Sequence, residues 1–148
     1  MISAEFVVER DDFLMDINLE IPSTGATVLF GPSGSGKTTF INVLSGIIKP
    51  MSGLIKVGNA TFFDSENKIN SPIEKRGIGY VFQDGRLFPH MSVDENLDFG
   101  HKRSNDKTIR KKEIVELLGL GQLLKRKPST LSGGERQRTA IGRAILSG

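Results

Sequence analysis

The chain has 148 residues, the length of one domain and enough to bury a core, with 37% hydrophobic and 25% charged residues, as in a soluble globular protein. Its 20 basic and 17 acidic groups leave a net charge of +3, too small to argue for nucleic acid, and no apolar run is long enough to span a bilayer. Cysteine is absent, which excludes a disulfide framework and a thiolate zinc site, and Met1-Ile2-Ser3-Ala4-Glu5 does not begin a charged-then-apolar export signal.

The first 30 residues predict three strands: Ala4 to Glu9, Phe13 to Glu20 with Leu14, Ile17 and Leu19 alternating, and Ala26 to Phe30. Arg10-Asp11-Asp12 and Pro22-Ser23-Thr24-Gly25 supply the turns between them. Next comes Gly31-Pro32-Ser33-Gly34-Ser35-Gly36-Lys37-Thr38-Thr39, which matches G-x-x-x-x-G-K-[ST], a loop that cradles nucleotide phosphates. Glycines at 31, 34 and 36 allow backbone N–H groups to turn inward, and the helix that follows aims its positive dipole end at an anion. In such a loop Lys37 reaches the β and γ phosphates and the Thr38 hydroxyl takes one position on Mg²⁺. Phe40, Val43, Leu44 and Ile47 are spaced as a helix face packed on a sheet, with a stop at Ser45-Gly46 and Pro50 beyond it.

Leu54 to Val57 and Ala60 to Phe63 predict a hairpin around Gly58-Asn59. A polar loop from Ser65 to Gly77 leads to Ile78-Gly79-Tyr80-Val81-Phe82, which reads as a buried strand. The second half reads as helical. Ser92-Val93-Asp94-Glu95 is a capping box that opens a short helix through Leu97 and Phe99, ended by Gly100. Ser104 to Lys107 is a polar break, followed by a helix from Thr108 to Leu118 with Ile114, Leu117 and Leu118 on one face and Gly119 as its stop. A last helix is expected from about Gly133 to Leu146. Arg110-Lys111-Lys112 and Lys125-Arg126-Lys127 read as solvated faces and loop ends, and the separated His90 and His101 argue against a metal site.

Leu131-Ser132-Gly133-Gly134-Glu135-Arg136-Gln137-Arg138 resembles the signature motif of ABC-type ATPases. Gly31 to Thr38 is the matching phosphate loop in the expected order, and Gln83, closing Tyr80-Val81-Phe82, resembles the family's Q-loop glutamine. The resemblance covers essentially the whole chain. It implies an α/β fold, a P-loop NTPase core with an N-terminal antiparallel β section at 1–83, a helical subdomain at 84–131 and a signature helix at 132–148, C-terminally incomplete.

By the same resemblance ATP and Mg²⁺ are the cofactors, with nucleotide contacts from Gly31, Pro32, Ser33, Gly34, Ser35, Gly36, Lys37, Thr38 and Thr39. Thr38 and Gln83 would contact the metal, and Lys37 and Gln83 would carry catalysis. Ser132, Gly133, Gly134 and Glu135 would close on the γ-phosphate held by a second copy of the subunit, and Ser132 with Glu135 also reads as an N-terminal capping box; the two roles are compatible. Phe13 either stacks the adenine or packs in its hairpin. The implied partners are integral-membrane permease subunits, a second copy in a homodimer and, indirectly, a solute-binding protein, with no nucleic acid. The implied location is cytoplasmic, peripheral on the inner face of the plasma membrane.

The family continues into an apolar strand ending Asp-Glu, a D-loop and a switch histidine, none of which occurs before Gly148. The Asp would hold Mg²⁺ with Thr38 and the Glu would activate water, and neither Asp64 nor Asp94-Glu95 matches them in order. A fragment of a longer ATPase subunit is therefore expected, one that keeps the phosphate loop but hydrolyses poorly, with Ala140, Ile141, Ala144 and Ile145 short of packing partners in a parallel sheet built from 27–30 and 78–82. Heptads and zinc-type cysteines are absent, which disfavours DNA-repair ABC ATPases. Arg86 to Leu97 resembles bacterial importer subunits, and Pro72 to Phe88 is most similar to the molybdate group. Sulfate, iron(III), polyamine and sugar importers share much of it, and a non-catalytic nucleotide-binding or permease-docking module is the alternative.

Overall fold

The computed structural model describes residues 1–10, 13–103 and 108–148. Asp11 and Asp12 of the first expected turn and the break at Ser104 to Lys107 lie outside the described residues. The chain divides into two compact units, Met1–Arg76 and Gly77–Gly148.

The first unit is an antiparallel sheet with one helix. Strands β1 (Ile2–Arg10), β2 (Phe13–Ile21), β3 (Ser52–Val57), β4 (Ala60–Asp64) and β5 (Ile69–Asn70) are ordered β2-β1-β3-β4-β5, and α1 (Lys37–Ser45) packs with them. Alternation in β1 sends Ala4, Phe6 and Val8 inward, where they meet Met15, Ile55, Phe62, Phe63 and the α1 residues Phe40 and Val43. Burying each large apolar side chain stabilises the unit by about 1.5–3 kcal/mol. Phe62 and Phe63 are adjacent yet both buried, because the β3–β4 register shifts between Ile55 and Lys56 and leaves Phe62 as an extra residue. Gly53 has φ +118, and a Cβ there would lie 2.1 Å from the carbonyl oxygen of Glu5, so β1 and β3 pair closely only over a bare backbone.

The expected hairpin at Gly58-Asn59 and the stop of α1 at Gly46 (φ +86) are both present. Three expectations for this unit are corrected. The inward residues of β2 are Met15 and, partly buried, Ile17 and Ile21, which puts Leu14 on the opposite, exposed face. Ile47 lies past the αL turn that ends α1 and is exposed. Residues 26–30 form no strand: Val28 is 82% exposed and Phe30 101%, since a β-prone run without a laterally bonded neighbour has no ladder to join.

The second unit is helical, with α2 (Val93–Arg103), α3 (Lys111–Leu117) and α4 (Gly133–Ser147). Val93, Leu97, Ile114, Leu120, Leu123, Leu131 and Leu146 form its core. Gly100 does not end α2. It lies where α2 crosses α4, and a Cβ there would be 2.3 Å from the carbonyl oxygen of Arg143, so glycine here permits a close helix crossing rather than a stop. Gly142 does the same from the other side, against Leu97, Leu118 and Ile114. Leu117 is 75% exposed, while Ile114 is buried and Leu118 packs beside it. Lys111 is not a solvated charge: its ammonium lies 2.7 Å from Asp94 and 2.6 Å from Asp98. Burial alone would lower its pKa, but the two carboxylates outweigh that and raise it.

Residues 78–82 are irregular rather than a strand, and the expected parallel sheet is absent from the described residues. Gly79 instead rests on α4, where a Cβ would lie 2.6 Å from the carbonyl oxygen of Ala144. Ala140 is buried too, with Gly85 seated near it, so Ala140 and Ala144 are not short of neighbours, whereas Ile145 is 36% exposed.

Candidate functional site

In the first unit the glycine-rich sequence 31–36 forms a backbone turn that leads into a helix. The Ser35 N–H donates to the Pro32 carbonyl at 3.3 Å, Gly34 (φ +83) and Gly36 (φ +86) take the left-handed region, and α1 starts at Lys37. No side chain caps that helix start. Its first-turn N–H groups and its dipole are thereby left to face an incoming anion. The Lys37 ammonium folds over the loop, donating to the Gly31 carbonyl at 2.8 Å, the Pro32 carbonyl at 2.6 Å and the Ser35 hydroxyl at 3.3 Å. Ser33 and Thr38 are exposed at this mouth, and Thr39 is half-buried.

Two β2 side chains fix where the loop sits. A Cβ on Gly36 would lie 2.1 Å from the Met15 methyl and 3.1 Å from Phe13 Cζ, so a larger residue would displace these side-chain ends as well as strain the φ of +86. Phe13, 40% exposed, thus stands beside the start of α1. The contribution of Met15 was not foreseen; an apolar residue two positions from Phe13 on the same strand face was the available signal.

The second unit holds the other expected site residues. Gln83 is exposed in the turn between Phe82 and Gly85, where the Gly85 N–H donates to the Phe82 carbonyl at 2.9 Å. Arg86 stacks on the Phe82 ring with 4.2 Å to its centroid. At the start of α4 the Ser132 hydroxyl accepts the Glu135 N–H at 3.3 Å and a Glu135 carboxylate oxygen accepts the Ser132 N–H at 2.7 Å, the expected capping box. That backbone hydrogen bond from Ser132 holds the Glu135 carboxyl below its usual pKa. Gly133 and Gly134 are exposed, so the backbone of the first α4 turn is open to an approaching group. Lys37, Thr38 and Phe13 are therefore brought together in one unit, and Gln83 lies with Ser132, Gly133, Gly134 and Glu135 in the other.

Sequence reasoning also missed the buried Arg76, Asn96 and the half-buried Arg143. Each is a polar residue beside or within an apolar stripe, and that interruption was the only hint. Among the described residues no group of three or more His, Asp or Glu could hold a metal ion, and no helix is long and apolar enough to cross a membrane.

A glycine-rich turn opening onto an uncapped helix and a second glycine-rich helix start define a class. The chain belongs to the ABC transporter family, whose model matches residues 14–148. It is 48% identical over 147 residues to the molybdenum import ATP-binding protein ModC of Aliivibrio fischeri, covering 99% of this chain and 40% of that protein. It is 56% identical over 124 residues to the protein of the same name from Brucella melitensis, covering 83% of this chain and 34% of that one. The chain thus spans well under half the length of these relatives. Among solved structures it is similar to a dimeric ATP-binding cassette in a post-hydrolysis state bound to ADP and Pi, with a TM-score of 0.74 at 28% identity, covering 99% of this chain and 70% of that one. It is also similar to cbiO1 from Clostridium perfringens, part of the ABC transporter complex cbiONQ, with a TM-score of 0.71 at 27% identity, covering 99% of this chain and 61% of that one. These structures establish the fold as that of an ABC ATPase cassette, of which the sheet and helices described above are a part.

Proposed function

We propose that residues 31–39 bind the triphosphate of ATP together with Mg²⁺, in a subunit that energises uptake of an oxyanion such as molybdate through a membrane permease. The observation that carries this reading is Lys37, whose ammonium rests on neutral oxygens at the mouth of an uncapped helix. A phosphate arriving there offers charged acceptors in their place, and charge-assisted hydrogen bonds are roughly twice as strong as neutral ones. Gly31, Pro32, Ser33, Gly34, Ser35 and Gly36 would wrap the phosphates, Thr39 would support the helix start, and Phe13 would stack the base.

Mg²⁺ fits this site as a joint ligand with the nucleotide. It takes one or two protein oxygens plus substrate phosphates and keeps several waters, and the exposed Thr38 hydroxyl in the first turn of α1 is such an oxygen. When bound, the ion neutralises charge on the phosphates. Gln83 would supply a second oxygen near the metal and the attacking water. Ser132, Gly133, Gly134 and Glu135 would face the nucleotide of a second copy, as the helix start they form is open to an anion.

ATP hydrolysis coupled to transport is the activity proposed for the whole subunit, working as a homodimer on the cytoplasmic side of permease subunits supplied by a solute-binding protein. The names of the relatives support the oxyanion. The reading is tested by calorimetric titration with ATP, with and without Mg²⁺, on the chain and on Lys37→Ala. The parent should bind, and the variant should lose about 100-fold in affinity, the loss of one or two charge-assisted hydrogen bonds. Equal affinity in the two proteins would contradict the assignment. Mg²⁺ alone should give no heat.

A further inference from the structure

We propose that Arg143 is a positioning residue for Gln83, clipping the segment that carries it to the helix that begins at Ser132, so that the two respond to nucleotide as one body. The inference rests on the nucleotide reading above. Residues 79–88 run along α4: Gly79 rests at Ala144, and a Cβ on Gly85 would lie 3.6 Å from the Arg136 carbonyl oxygen and 3.7 Å from Ala140 Cβ. Gln83 lies between these two seats. Arg143, in the last third of α4, then closes over the segment: Nη2 donates to the Arg86 carbonyl at 2.9 Å and, more weakly, to that of Gly85 at 3.5 Å.

Its other arm meets a second clamp. Arg143 Nη1 donates to Asn96 Oδ1 at 3.3 Å, and the same oxygen accepts the Phe88 N–H at 2.9 Å. Asn96 is 0% exposed, and its Nδ2 donates to the carbonyls of Phe88, Met91 and Ser92 at 3.2, 3.3 and 2.9 Å. The guanidinium also lies over the Phe88 ring, 4.9 Å from its centroid. A planar fork can reach Asn96 and the Arg86 carbonyl at once, which a lysine ammonium cannot. With Gly79 flush against the helix, Gly85 within van der Waals reach of it and the carbonyls of Gly85 and Arg86 held by Arg143, the Gln83 turn is tied to α4 on both sides.

The test compares the ¹⁵N-labelled chain with Arg143→Ala and Arg143→Lys, reading amide hydrogen exchange and ATP affinity with and without Mg²⁺. Arg143→Ala should speed exchange at Phe88 by about tenfold or more while amides inside α4 stay within about threefold. It should also cut the Mg²⁺-dependent gain in ATP affinity by about fivefold, leaving Mg²⁺-free affinity unchanged, a split that general loss of stability would not produce. Arg143→Lys should keep the fold and restore neither readout, and it decides the matter alone if Arg143→Ala does not fold. Unchanged Phe88 exchange in a folded variant overturns the clip, as does faster exchange with an unchanged Mg²⁺ gain. No ATP binding by the parent overturns the nucleotide reading and, with it, any role for the clip.

Discussion

Arg76 donates from Nη1 to the carbonyl oxygen of Leu44 at 2.8 Å, tying the last turn of α1 to the segment that follows β5. The same guanidinium serves the carbonyls of Val43, Phe62 and Ser71 and the side-chain oxygen of Asn70, and lies 5.3 Å from the Phe62 ring centroid. Each of these acceptors is neutral, and burial pulls the Arg76 pKa below the usual arginine value. One buried cation thus satisfies the orphan carbonyls at the C-terminal end of the helix that the phosphate loop opens.

Arg76→Met should therefore destabilise the first unit by about 3 kcal/mol, since several buried carbonyls would lose their donor at about 1–3 kcal/mol each. Urea unfolding is the measurement, and Arg76→Lys should recover less than half of the loss. A change under about 1 kcal/mol would show that water replaces the guanidinium without cost.

Gly100→Ala should cost about 1–3 kcal/mol, because the added methyl meets the backbone of Arg143 rather than a movable side chain. Thermal unfolding followed by helix circular dichroism reports it. A neutral result would mean that α2 and α4 can move apart freely.

Phe13→Ala should weaken ATP binding by about tenfold, in line with roughly 1–3 kcal/mol for aromatic–base stacking, and leave inorganic tripolyphosphate binding unchanged. Equal losses for both ligands would mean that Phe13 acts only by supporting Gly36, which its ring touches.

Acid should loosen the starts of α2 and α4. Glu95 and Glu135 both have pKa values lowered chiefly by backbone hydrogen bonds, from Ser92 and Ser132. Their folded values lie below the unfolded value of about 4.3, so their contribution is complete above that pH and is lost as pH falls through the folded values. Amide exchange at Glu95 and Glu135, whose N–H groups the serine hydroxyls accept, should quicken below about pH 4 relative to mid-helix amides. Ser132→Ala should destabilise α4 by about 1 kcal/mol at neutral pH.

The elements that carry their own local chemistry were legible in the sequence. The capping boxes at Ser92 and Ser132, the αL stops at Gly46 and Gly119 and the Gly58-Asn59 turn depend on a few neighbouring residues, and each stands where those residues put it. Segments whose state depends on distant partners were not legible. Val28 to Phe30 and Ile78 to Phe82 have strand composition, but a strand exists only with another beside it. Gly100 shows the reverse error: glycine as punctuation and glycine as a helix-crossing notch look alike until the second helix is seen. At residues 31–39 the glycine turn and the helix start at Lys37 could be read, whereas Arg76, Asn96 and Arg143 act through carbonyls far along the chain and leave no spacing pattern.

The neutrality of the acceptors around Arg76 gives the two halves unequal resistance to protons. Nothing in that junction has a proton to gain as the medium sours, so α1 stays anchored at its far end. The glycine-rich helix, whose first turn hangs on a carboxylate, frays first. Brief acid exposure should accordingly unwind the start of α4 before it loosens α1 from the sheet.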